Sequence, residues 1–447
     1  MIRPDRASPR CAPTVLGAVV VAVVFLAVAC TAGSKLVAPA TGAPGTATPA
    51  PPPPPAASPV APVPSVEPGP LCHRPKVVAQ PQASPTALPP ALQRVADDVQ
   101  AFRALRFTAP VSPEPVSHER LVELLNASLD HSFPRAMEAR RGQAWATIGA
   151  VPEGTDLGQA YRDFAGSQII GFYDTLSHRL VFIGTGDPSP LSRTILAHEL
   201  THALDDQAFG LSRLDQLENQ CRDERFQAFL ALTEGDAAET QLQYMRALSI
   251  SDQRSVAREA ASFAPPPATV PPFLRSLLEF PYTSGRLFVE SLAANGGQSA
   301  VNAAFRDPPV STEQILHPDK YKSDAPRTVA VPQMREKLGG PWADLDVMDV
   351  GEAWLSTLLA LRVPSAEATT AAAGWDGGQY RAWGRDEGTA VLLQTVWDRD
   401  ADAVEFAESM REWIGEGNAA VHRRGAGVDV LFGSDPRALR DLERAVG

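Results

Sequence analysis

Residues 189–210 read Ser-Pro-Leu-Ser-Arg-Thr-Ile-Leu-Ala-His-Glu-Leu-Thr-His-Ala-Leu-Asp-Asp-Gln-Ala-Phe-Gly. Ser189 suits a helix N-cap, Pro190 the first helical position and Gly210 the stop. Between them Ile195, Leu196, Leu200, Ala203 and Leu204 recur at helical spacing, which predicts a short amphipathic helix with a buried stripe. At its centre His198, Glu199, Leu200, Thr201 and His202 spell His-Glu-X-X-His. Two histidines four apart share a helix face and can grip one zinc ion. Glu199 lies about 100° round the helix, where it reaches a water on the metal rather than the metal. A Glu beside two stacked histidines, on a helix otherwise this apolar, has little purpose without a metal.

A catalytic zinc takes three protein ligands and one water. A third His shortly after the pentad would mark a metzincin, but Ala208 stands at that position and the next histidine is His317. Glu234 is the better third ligand. It lies in Leu-Thr-Glu-Gly-Asp-Ala-Ala-Glu, residues 232–239, within a helical stretch over 223–248. A carboxylate on a second helix can face the histidine pair, and Gly235 lets two backbones approach closely. Its rivals are Asp206, Glu218, Glu224 and Glu239. Ligating histidines donate their other ring N–H to a carboxylate or carbonyl. Asp205, Asp206, Asp236 and Glu239 are all placed by sequence to receive it.

The run from Ile195 to Leu211 resembles the active-site helix of thermolysin-type zinc peptidases. The segment at Glu234 resembles the Glu-Gly-X-Ala third-ligand segment of gluzincins, especially the membrane-alanyl-aminopeptidase type. The gap from His202 to Glu234 is longer than in those aminopeptidases. Thermolysin-like enzymes also carry an Asp four residues after the metal Glu, where this chain has Ala238. The whole arrangement, from Gly-Phe-Tyr-Asp at 171–174 to Ser-Thr-Glu-Gln-Ile-Leu-His-Pro at 311–318, resembles a group of little-characterised bacterial lipoproteins. That likeness implies extracytoplasmic placement and names no substrate, whereas the likeness to zinc peptidases implies a zincin-like α+β core, one Zn2+ per chain and a peptide or protein substrate.

In such a site Glu199 is the general base, and a further donor must meet the developing oxyanion. Tyr282, His317 and Tyr321 are the candidates, with His317 favoured. Residues 311–321 lack a repeating apolar pattern and read as a loop. Residues 168–173 and 179–183 read as strands of a hairpin just before the zinc helix. Its edge strand would pair with an extended peptide, with Tyr173 pointing into the cleft.

The N-terminus reads as an export signal over residues 1–29. Arg3, Arg6 and Arg10 precede the apolar run Val15–Val28, which is short for a membrane span. Ala27-Val28-Ala29-Cys30 fits a lipoprotein signal with Cys30 lipidated, so the membrane is a partner through a lipid anchor on the outer face of the cytoplasmic membrane. Ordinary cleavage, releasing the protein, and an uncleaved anchor are the alternatives. Residues 30–90 form a Pro/Ala-rich tether that includes Pro51–Pro55 and buries almost nothing. Cys72 and Cys221 remain as an expected disulfide in an oxidising compartment. The chain of 447 residues carries a net charge of −12, which becomes −14 once the signal's three Arg and one Asp are gone. That balance does not suit nucleic acid.

Residues 91–345 would hold the zinc site, with a helix around 121–129 and a loop over the cleft at 252–272. Gly339-Gly340-Pro341 marks a boundary. Residues 346–447 read as a smaller α+β unit: helix 350–361, paired strands 380–383 and 390–397, helix 401–413, strand 428–432 and helix 436–446. The reading competing with a peptidase is a non-catalytic surface lipoprotein that uses zinc structurally or binds peptides and partners. The intact Glu199 argues against it, because a structural zinc normally closes with a fourth ligand.

Overall fold

Apolar residues at 169–174 and 179–183 form an antiparallel hairpin, as their composition predicts. Asp174 closes its turn, accepting from the Ser177 N–H at 3.3 Å and the Ser177 hydroxyl at 2.7 Å. The computed structural model describes residues 19–23, 71, 88–175, 177–184, 188–263 and 265–447. Over these the fold is α+β, with helices around two sheets.

The first sheet combines β1 (Val19–Val23), β2 (Pro113–Val116), β3 (Ile169–Asp174) and β4 (Arg179–Ile183) in the order β1-β3-β4-β2. Within it β1 runs antiparallel to β3, and β2 parallel to β4. Helices α1 (Pro90–Arg103), α2 (His118–Ser132), α4 (Leu157–Gln168) and α5 (Pro190–Phe209) pack around this sheet, whereas α3 (Arg135–Ile148) packs against the second sheet, over 343–433. The Ser189 hydroxyl caps α5 by accepting from the Ser192 N–H at 3.2 Å, and Gly210 ends it at φ 78°. The expectation of an amphipathic α5 with one buried stripe needs correction. From Thr194 to Asp206 every residue is buried, because β3 covers one side and α1 and the helices over 223–247 and 250–260 cover the others.

α6 (Arg213–Asn219) leads into α7 (Asp223–Ala247), α8 (Ile250–Ala260) and α9 (Pro272–Arg306). Gly235 on α7 and Gly285 on α9 make a backbone crossing. A Cβ at Gly285 would lie 2.0 Å from the Ala231 carbonyl oxygen, and one at Gly235 would lie 2.2 Å from the Gly285 carbonyl carbon. Pro281 sits inside α9, where its missing N–H frees the carbonyl of Leu277. The Gln227 amide of α7 donates to that carbonyl at 3.2 Å, so the two helices are stitched together at the proline. α9 then breaks at Gly296 and Gly297, the latter at φ 61°.

Residues 252–272 are not simply a loop, since Ser249 caps α8 through the Asp252 N–H. Residues 311–321 are not a loop throughout either. Ser311 caps the short α10 (Thr312–Leu316), and the Glu224 carboxylate anchors its start.

After α11 (Arg335–Leu338), an antiparallel sheet forms from β5 (Ala343–Asp349), β6 (Trp375–Arg385), β7 (Gly388–Trp397), β8 (Ala419–Arg424) and β9 (Gly427–Gly433), in the order β5-β6-β7-β9-β8. It carries α12 (Glu352–Leu359), α13 (Ser365–Ala372), α14 (Asp400–Ile414) and α15 (Pro436–Val446). This sheet shares its core with the first half of the chain. Trp145, Phe164 and Phe273 pack in one cluster with Trp354, Tyr380 and Phe406. Buried Arg141 of α3 clasps Asp223 at 2.8 Å and Asp346 of β5 at 3.2 Å. No helix among the described residues is long and apolar enough to cross a membrane.

Candidate metal centre

His198 and His202 stand one turn apart on α5, with ring centroids 4.7 Å apart and planes at 83°. Glu234 reaches them from α7. Its Oε2 lies 3.2 Å from His198 Nε2 and 3.4 Å from His202 Nε2. Tetrahedral zinc with ligand bonds near 2.0–2.1 Å places neighbouring donors about 3.3 Å apart, so both spacings suit one ion at the centre. All three side chains are at most 1% exposed, and the group could hold a metal ion.

The electrostatics agree with that use. Burial pushes the His198 imidazole below its ordinary pKa, keeping it neutral as a ligand must be. Burial alone would push Glu234 up, but the two imidazoles more than offset this, and its carboxyl ends below the usual range. Among the described residues His202 Nδ1 has no hydrogen-bond partner, and its Nε2 meets Glu234 only at 3.4 Å, without good hydrogen-bond geometry. A buried imidazole left so is costly, and a metal would satisfy the Nε2 that faces Glu234. Two neutral nitrogens and one carboxylate make a donor set that zinc accepts.

Around this trio lie four further groups. Glu199 is fully buried, with β3 pressed against it where Gly171 removes a side chain. A Cβ at Gly171 would lie 3.3 Å from Glu199 Cγ. Tyr282 stacks on His198 with centroids 6.3 Å apart and donates its hydroxyl to Glu234. Burial, then the nearby Glu234 and Glu199, push its pKa far up, so it stays a donor. The Gly235–Gly285 crossing explains its place: Glu234 precedes one glycine, and Tyr282 lies about one turn before the other. Sequence reasoning missed the remaining two. Gln241, two turns after Glu234 on α7, lies beside His198 and opposes the lowering of its pKa by burial. Tyr161 of α4, raised by burial and then by Glu218 and Glu234, has no local signal at all.

Other sequence candidates lie elsewhere. His317 Nε2 pairs with Glu352 at 2.8 Å. Tyr321 donates to the Asp307 carbonyl at 2.5 Å and packs on Phe288. Tyr173 does not point into a cleft: it is 1% exposed and donates to Asp206 at 2.7 Å. Asp206 also meets His178 at 2.7 Å and accepts from the Leu211 N–H. Asp205 and Asp236 converge on buried Arg103 of α1 at 2.9 and 2.6 Å. Glu239 faces Arg286. Glu224 accepts from Thr312. Among the described residues none of Asp205, Asp206, Asp236 and Glu239 hydrogen-bonds the two histidines; these carboxylates instead fasten α5 and α7 to neighbouring elements. Glu218 lines the cavity beside Glu234. Cys221 is disulfide-bonded. Cys30 and Cys72 lie outside the described residues, as do the tether from 31 to 70 and the signal's arginines.

Residues 343–440 match a family model described as a domain of unknown function (DUF8575). No curated protein matches the chain. Among solved structures, one similar chain is described as a candidate hydrolase with a novel fold from Chloroflexus aurantiacus. It shares 18% identity over 52% of this chain and 87% of its own, at a TM-score of 0.33. At that score the likeness carries no argument.

Proposed function

We propose that this protein is a zinc-dependent peptidase of gluzincin type, with a zincin-like core, His198, His202 and Glu234 as ligands and Glu199 as general base. The observation that carries the reading is the donor set itself: among the described residues three buried donors rather than four, with the Glu199 carboxylate buried next to one of them. A zinc ion held there would lower the pKa of a water to about 7 and polarise a substrate carbonyl. Glu199 takes the proton from the attacking water and returns it to the leaving amine. The Tyr282 hydroxyl, held protonated, supplies the donor for the oxyanion. The outer edge of β3, covered by residues 19–23 in the full chain, offers an extended substrate a strand partner once the export signal is removed. Lipidation at Cys30 and a Cys72–Cys221 disulfide complete this reading, which places the enzyme on the outer face of a bacterial membrane.

Glu199→Gln tests it. The variant should bind one zinc as wild type does and lose chelator-sensitive peptide hydrolysis by at least about 100-fold. Retained hydrolysis would remove Glu199 as the base. A wild-type protein that binds one zinc, cleaves no member of a broad peptide library and unfolds on chelation would instead favour a structural site.

A further inference from the structure

We infer that the C-terminal segment matched by the family of unknown function acts as a specificity wall, closing an apolar cavity that receives one bulky uncharged substrate side chain beside the cut bond. The inference rests on the peptidase reading and adds a substrate class to it. The cavity, of about 230 Å³, has Glu234 and Tyr282 in its lining and so begins at the candidate metal centre. An apolar cavity of about 150 Å³ already admits benzene, whereas whole small-molecule ligands take about 300–1,000 Å³. The space therefore suits one aromatic or leucine-like side chain rather than a whole ligand.

The walls have the character of a binding site rather than a finished core. Phe133, Tyr161, Leu277, Leu278 and Met348 line the cavity and are only partly buried although packed against the main core. Leu277, Leu278 and Tyr282 come from α9. Met348 of β5 and Ala353 and Trp354 of α12 come from the C-terminal segment and complete the lining. Specificity for a bulky group thus depends on residues distant in sequence from the zinc helix.

Charge at the same cavity sets what is refused. Glu218, Asp223, Glu224 and Asp349 lie along it, against Arg141 and Arg222. Arg141 is already clasped by Asp223 and Asp346. Burial pushes the Glu224 carboxyl up to about 7 and that of Asp349 up to about 6, so existing negative charge is already poorly tolerated there. An acidic substrate side chain would add to it and is excluded.

The test uses the full-length exported protein with zinc and peptides that vary only in the residues flanking the cut bond. Wild type should cleave beside Phe or Leu at least 10-fold faster, as kcat/KM, than beside Ala, and faster still than beside Asp. Met348→Trp, which fills the cavity from the C-terminal side, should reduce the Phe-to-Ala ratio at least 10-fold, and Leu277→Trp should do so from the α9 side if the first variant does not fold. Hydrolysis with no such preference, or with a ratio that neither variant moves, would overturn the inference and leave the peptidase reading standing. Absence of all peptide hydrolysis would overturn the peptidase reading instead. The cavity is then decided by NMR titration of metal-free protein with N-acetyl-phenylalaninamide: binding that Met348→Trp abolishes supports the wall, and no binding overturns it.

Discussion

Glu234 ionises although it is buried, because two imidazoles lie within 3.4 Å of one carboxylate oxygen. Glu224, ten residues earlier on the same helix, shows the opposite balance. Burial outweighs the two hydrogen bonds from Thr312, and its carboxyl rises to about 7. Between the ordinary pKa near 4.5 and that value, the folded protein holds a proton that the unfolded chain has released. Stability therefore falls as pH rises across this window, by at most about 3 kcal/mol. Glu224→Gln keeps an acceptor for Thr312 and removes the charge. Urea unfolding should find the variant close to wild type at pH 4.5 and more stable at pH 8; equal stability at both would contradict the assignment. At the metal centre itself, Glu234→Gln should weaken zinc binding at least 100-fold in competition with a chromophoric chelator, beyond the roughly 10–100-fold typical of an outer partner. The candidate ligands were legible in sequence because helical spacing stacks His198 on His202 and the chain places Glu234 beside Gly235. Gln241 was legible in principle, two turns from Glu234 on the same face. Tyr161 was not, since only tertiary packing of α4 brings it near.

Helix α5 lies in its pocket because α7 can come close to α9, and that approach depends on two glycines. Gly235→Ala would put a methyl carbon 2.2 Å from the backbone of Gly285. No flexible side chain can yield there, so the helices must separate, and Glu234 and Tyr282 move with them. The expected loss is about 3 kcal/mol or more in denaturant unfolding, with weakened zinc binding in whatever protein still folds. A variant with wild-type stability would refute the close crossing. The need for a close approach at Gly235 could be read from the sequence, but its partner Gly285 could not. Pro281 ordinarily signals a helix break, yet α9 runs through it because Gln227 takes the carbonyl that the proline frees. Residues 311–321 misled in the other direction. Their polar groups cap α10 and pair with Glu224 and Glu352, so a helix start looked like a loop.

Across the whole molecule, strands β6, β7 and β9 and helices α12, α14 and α15 were visible in the sequence, whereas β5, α13 and β8 were not. The shared core was not, because Trp145 and Trp354 meet only in three dimensions, 6.5 Å apart between ring centroids and each edge-on to Phe273 at 5.2 and 5.3 Å. A chain truncated before Ala343 should therefore expose Trp145, Phe273 and Leu274 and fail to give a soluble, cooperatively unfolding protein by circular dichroism. Cooperative folding of that fragment would mean that the two halves are independent. The proposed peptidase activity requires one ion between α5 and α7. Anomalous diffraction at the zinc edge, from crystals of the zinc-loaded protein, tests this most directly. The account predicts a single strong peak about 2.0–2.2 Å from His198 Nε2, His202 Nε2 and a Glu234 carboxylate oxygen, with no fourth protein ligand. A peak elsewhere, or one closed by a fourth side chain, would contradict it.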